Sequence, residues 1–256
     1  MKKEYFISLS YKDEEVFNKS RNLLPAWITP HVFPAKDVTP DQMVSDELLT
    51  HIRQRDGLLY LSSKNSSNSF WVALERDYAI RIQKPVYRFD PINGKFNQDL
   101  SKPLELKVFP SYSREDKHVV DNIVYLLKER YIEMFTDNAI LPGQNVADEI
   151  NQAIHNSLEA GGYSVFFISE KSMTSEWVKK ELEITMKKYA DRIIPCLIDS
   201  TDTRVLPQFF QEYQILTLYD KRCQDGINRN RLDDLIVLLY WYIYRNTRKE
   251  NSISSE

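Results

Sequence analysis

FFISEKSMTSEWVKKELEITM, residues Phe166 to Met186, reads as a buried strand, a serine-rich turn and a helix. Residues four apart share a helix face, so Trp177 and Glu181 stand together. An aromatic ring beside a carboxylate, just past the C-terminal end of a strand, is a place for a ligand. A weaker copy lies upstream. LLYLSSKNSSNSFWVALERDYAI, Leu58 to Ile80, carries Trp71 and Glu75 at the same spacing. The helix from Ser175 to Tyr189 shows an apolar stripe at Val178, Leu182 and Met186, expected to face a sheet. Glu181 then falls at the edge of that stripe, partly buried, and Glu183 on the opposite face.

Outward from these two stretches, the order of elements repeats. Glu4–Ser10 reads as a strand, Asp13–Leu24 as a helix ended by Pro25, and Val32-Phe33 as a short strand. Asp41–Arg53 has helical spacing; Gly57–Leu61 and Pro85–Phe89 are strands on either side of the Trp71 helix. After the Pro- and Gly-broken stretch Pro91–Pro103 the series restarts. Strand Lys107–Phe109, helix Glu115–Arg130, strand Ile132–Phe135, a helix near Val146–Asn156 and strand Ser164–Ile168 follow. The Trp177 helix, strand Ile193–Ile198, short elements near residues 206–217 and a helix from Arg231 to Tyr244 complete it.

Laid over one another, the halves match at a spacing of 101 to 106 residues. Ser10-Tyr11 falls on Ser111-Tyr112, Phe33 on Phe135, Pro40 on Pro142 and Trp71/Glu75 on Trp177/Glu181. In this register Arg114 meets Asp13, Asp137 meets Ala35 and Gly143 meets Asp41. Alternating strands and helices predict the α/β class with parallel sheets. The expected organisation is a reduced first domain at 1–95, a linker at 96–104, a second domain at 105–246 and a frayed polar tail at 247–256. The first copy ends after its fourth strand and is read as truncated.

Composition excludes several function classes. A net charge of -3 gives no electrostatic argument for nucleic acid or an anionic membrane. No apolar run approaches the roughly 20 residues that span a bilayer. Two cysteines without ligand spacing predict a reducing compartment, and the expected location is cytoplasmic. Six glycines, with no GxGxxG and no GxxxxGK[ST], leave no phosphate loop. No metal site or bound cofactor is expected, and four scattered histidines give a Ser-His-Asp hydrolase little support.

Four motifs in order now carry a resemblance: VFPSYSRED, MFTDNAILPGQNVADEINQAI, FFISEKSMTSEWVKKELE and IIPCLID. From about Leu106 to Tyr244 the chain resembles a Toll/interleukin receptor (TIR) domain, and residues 1 to about 95 look like a reduced one. The resemblance implies two flavodoxin-like units of strand order 2-1-3-4-5, the first truncated, with a crevice at the switch point. Some TIR domains only assemble; others cleave NAD+ at the nicotinamide–ribose bond, releasing nicotinamide and linear or cyclic ADP-ribose. In the cleaving sort a glutamate stands four residues after a tryptophan, and Glu181 matches it.

By position, the resemblance assigns substrate contacts to Ser111, Tyr112, Arg114, Phe135, Asp137 and Trp177, with NAD+ as substrate. It implies a gating and assembly role for the turn Leu141-Pro142-Gly143. Tyr11, Trp71 and Glu75 mark a possible second site. The acid Asp13 opposite Arg114 argues for a structural or regulatory first copy. A compact TIR protein of this kind resembles the bacterial anti-phage (Thoeris-like) enzymes, whose product is read by a separate effector. Self-association through TIR surfaces is expected, and a non-enzymatic assembly module is the alternative. A phosphoacceptor domain fails, because Ser169 and Ser62 stand where it needs an aspartate.

Overall fold

Two sets of strand–helix alternation build two separate sheets. The computed structural model describes residues 2–33, 45–134, 152, 154–156, 158–159 and 161–253. It divides the chain into compact units, Met1–Leu104 and Glu105–Glu256.

In the first unit β1 (Lys3–Ser8), β2 (Ile28–Val32), β3 (Gly57–Leu61) and β4 (Val86–Phe89) pair in parallel, in the order β2-β1-β3-β4. Helices α1 (Glu14–Ser20), α2 (Ser45–Gln54), α3 (Lys64–Ser67) and α4 (Phe70–Arg81) make the crossovers. Ile7, Phe17, Leu59, Leu61 and Phe89 form one core of this sheet. Gly57 is required where β3 begins. A Cβ there would lie 2.4 Å from the Tyr5 ring and 2.6 Å from the Pro85 carbonyl oxygen. Gly57→Ala is therefore expected to cost about 1–3 kcal/mol by overpacking, measured as a fall in the urea midpoint.

The stretch expected as a linker is structured. The chain turns at Asp90, whose side chain accepts from Ile92 N and Asn93 Nδ2, and Gly94 takes φ +71°. It returns as β5 (Phe96–Gln98), antiparallel to β4. Asp99 then pairs with Arg76 at 2.6 Å, and Leu104 N donates to Asp77 at 2.5 Å. Asp, Asn and Gly mark a hairpin turn with the same composition that marks a linker. The first sheet thus has a fifth, antiparallel strand and does not stop at its fourth.

In the second unit β6 (Val108–Ser111), β7 (Tyr163–Ile168), β8 (Ile193–Leu197) and β9 (Leu216–Thr217) are parallel in that order. A parallel bridge between Val108 and Met134 places the chain at Met134 on the free side of β6. The order is then 2-1-3-4-5, as expected. All six residues of β7 are buried, which requires both faces of the sheet to be covered. Helices α5 (Lys117–Lys128), α6 (Glu170–Thr174), α7 (Glu176–Tyr189), α8 (Gln208–Gln211) and α9 (Arg229–Ile253) belong to this unit. The tail expected to fray from residue 247 instead continues α9 to Ile253; Arg248, Lys249 and Glu250 are good helix formers. Among the described residues no helix is long and apolar enough to cross a membrane.

Candidate functional site

Parallel strands that reverse their order at β6 and β7 leave a crevice at the strand ends. Ser111 is the last residue of β6, and its side chain is fully buried. Ser169 follows β7 and caps α6, accepting from Ser172 N, while the Ser172 hydroxyl accepts from Ser169 N. Ser175 caps α7. Two consecutive serine caps fix where α6 and α7 begin.

The rotation of α7 differs from the expected one. Its buried positions are Val178, Glu181, Thr185 and Tyr189, and Met186 is 38% exposed. Glu181 is therefore central to the inward face, at 5% exposure, and not at its edge. Two donors make this possible. Trp177 Nε1 donates to Glu181 Oε1 at 2.6 Å, and the Ser111 hydroxyl donates to Glu181 Oε2. A buried carboxylate needs such partners, since burial without them costs several kcal/mol. Burial pushes the Glu181 carboxyl up to about 7, opposed by the bonds from Ser111 and Trp177. The Arg114 guanidinium lies 5.7 Å from the centre of the Trp177 ring, a cation–π stack at the rim.

Of the predicted residues, Ser111, Arg114, Trp177 and Glu181 thus form one connected group. Tyr112 is half-buried beside Ser111. Phe135, Asp137 and the turn Leu141-Pro142-Gly143 lie outside the described residues. Glu183 is exposed.

Sequence reasoning missed the clamp that holds the crevice. Buried Asp116 accepts from Ser169 Oγ at 2.5 Å, with Lys171 Nζ at 3.8 Å, and ties the loop after β6 to the cap after β7. The first unit repeats it. Asp13 accepts from Ser63 at 2.5 Å, Asn65 at 2.7 Å and Ser66 at 2.9 Å. Burial acts to raise the Asp13 carboxyl, but these bonds prevail and hold it below its ordinary value. The available signal was Ser-x-x-Asp at Ser10/Asp13 and Ser113/Asp116.

The clamp corrects the register of the two halves. Asp13 corresponds to Asp116, so Ser8 corresponds to Ser111 and Tyr11 to Arg114. The identical Ser-Tyr pairs at 10–11 and 111–112 misled the alignment by two residues. No acid stands where Arg114 stands. Asp116→Ala is expected to cost about 2–3 kcal/mol of stability, the worth of a hydrogen bond to a buried charge. A urea midpoint within experimental error of wild type rejects the clamp.

Residues 108–232 match the family model described as the TIR domain. Toll-like receptor 2 of Boselaphus tragocamelus and of Capra hircus are each 28% identical over 110 residues, 40% of this chain. The chain spans only 14% of the length of these relatives. The crystal structure of the TIR domain of the Toll-related receptor TRR-2 from Hydra magnipapillata matches at 24% identity, over 50% of this chain and 96% of that one, with a TM-score of 0.39.

Proposed function

From the TIR domain that the chain contains at residues 108–232, we propose that the second unit is an NAD+ nucleosidase or cyclase with Glu181 as its catalytic carboxylate. The observation that supports this most is the environment of Glu181: a buried acid, gripped by Trp177 and Ser111, at the switch-point crevice. Breaking the N-glycosidic bond sends its electron pair to the pyridinium nitrogen, so nicotinamide leaves neutral without an acid. The ribose carbon takes on oxocarbenium character, which a fixed carboxylate in a dry site stabilises. Water then attacks, giving ADP-ribose and releasing one proton; attack by a group of the adenosine half gives a cyclic product instead. Arg114 at the rim suits the diphosphate, since a guanidinium makes bidentate contacts to phosphate. NAD+ is substrate here, not a resident cofactor.

The biological reading is a signal-producing or NAD+-depleting protein of innate, anti-phage immunity, acting in the cytoplasm, self-associating through TIR surfaces and read by a separate effector. A second reading, an assembly module without chemistry, draws on the relatives, which are named as receptors. Nicotinamide release from NAD+ by the full chain, at concentrations where it self-associates, separates the two. Release that requires Glu181 supports the enzyme. Absence of release from the assembled protein leaves the module.

A further inference from the structure

Of the residues expected to mark a second site, Tyr11 and Trp71 are exposed, and Glu75 is buried beside the Ser8 hydroxyl. A different cluster closes the edge of the first unit. β2 pairs with β1 alone and is the outer strand of its sheet. His31 stands on β2 opposite Phe6 of β1, and His51 stands in the last turn of α2. Both residues are half-buried. His31 Nε2 and His51 Nδ1 lie 3.1 Å apart, the two rings are 15° from parallel, and the Phe33 ring meets His51 edge-on. Arg55, just past α2, brings Nη2 to 3.3 Å from His31 Nδ1 and from His31 Nε2. Its Nε lies 3.5 Å from the Glu4 carboxylate on β1. One chain of polar groups thus runs from β1 through Arg55 and His31 to α2.

These donors select one protonation pattern. A guanidinium only donates, so His31 accepts from Arg55 at Nδ1 and donates from Nε2, and His51 accepts at Nδ1. One more proton on either ring sets N–H against N–H. On His31 it faces the guanidinium; on His51 Nδ1 it faces His31. The other charged groups around the pair, among the described residues, do not relieve this. Asp56 is turned to the backbone N–H of Glu4, Arg53 to Tyr78 and Thr50, and Lys84 to the Arg55 carbonyl. Glu47, one turn before His51, and Glu4 are exposed. Burial first, then Arg55 and His51, hold His31 below its ordinary value of 6.5, against the pull of Glu4.

We propose that His31 and His51 form an acid-released latch, which ties the outer strand β2 to α2 while both rings are neutral and lets go when a proton is added. Histidine is the side chain whose ordinary titration falls in this range. A released ring takes a proton near pH 6.5 and the latched pair refuses it. The latch is therefore complete above about pH 7 and weakens as pH falls through about 6.5. Opening of the β2 edge grows about tenfold from pH 7 to pH 5.5.

The test is native-state hydrogen exchange of the full chain at pH 7 and pH 5.5, corrected for the intrinsic pH dependence of exchange. Peptides from β2 and α2 are compared with β7 as reference. The expected result is about a tenfold loss of protection in β2 and α2 at pH 5.5, relative to β7. His31→Gln combined with His51→Gln should abolish that loss. A glutamine oxygen accepts where Nδ1 accepts, its amide donates where Nε2 donates, and it does not titrate. Wild-type β2 peptides that follow β7 overturn the latch, and so does a double variant that keeps the wild-type loss. If the double variant is already unprotected at pH 7, the histidine titration of wild type, followed by NMR, decides. Proton uptake by His31 below pH 6.5 upholds the latch, and uptake at or above it overturns the proposal.

Discussion

Glu181→Gln is expected to lower nicotinamide release by about 10²–10³-fold, the scale of losing one preorganised electrostatic group, while making the protein more stable at pH 8. The two effects have one cause. Folding buries the carboxyl and raises it from its ordinary 4.5 to about 7. Between those values the folded chain binds a proton that the unfolded chain does not, so stability falls as pH rises. Above pH 7 the whole cost is present, on the order of 3 kcal/mol for a shift of this size. Glutamine carries no charge and escapes it. Its amide oxygen still accepts one of the two bonds now made by Ser111 and Trp177. A net gain of about 1–2 kcal/mol is expected after the lost bond is counted, read as a melting temperature several degrees higher. Below pH 4 that advantage should vanish, because wild-type Glu181 is then protonated in both states. A variant that loses activity and also melts lower at pH 8 shows that Glu181 supports the fold instead.

The α/β class was legible because strand and helix periodicities differ and the elements are long enough to show them, whereas the strand order followed from the resemblance to TIR domains and not from periodicity. Trp177 and Glu181 were legible as a pair because helical spacing alone puts them together. The rotation of α7 was not. Apolar counting favours Val178, Leu182 and Met186, but two hydrogen bonds hold a glutamate on the inward face and leave Met186 half in solvent. The clamp was hidden for a related reason: Asp13 and Asp116 look like ordinary acids at a helix start until Ser63 and Ser169 are seen to close on them. The hairpin leading to β5 was hidden by composition, since its polar residues bond to one another across the turn.

Release of nicotinamide by wild type is expected to rise about tenfold from pH 6 to pH 8, tracking a carboxyl that titrates near 7 and must be charged to act. Trp177 and Ser111 set where that rise falls. Each donates to an opposite oxygen of the carboxylate, and both bonds favour its charged form. Removing a bond to a charged group withdraws about 1.5–3 kcal/mol, and 1.36 kcal/mol corresponds to about one pH unit. Trp177→Phe keeps an aromatic ring against Phe109, Ile154 and Tyr189 but removes the indole N–H. Its profile should move up by about 1–2 pH units, with a plateau near wild type at high pH. Ser111→Ala should move it in the same direction, and the double variant further than either. A plain loss of folding lowers the plateau without moving the midpoint, so the midpoint carries the argument. If Trp177→Phe keeps the wild-type midpoint, the indole does not hold the charge of Glu181, and the crevice must act through another group.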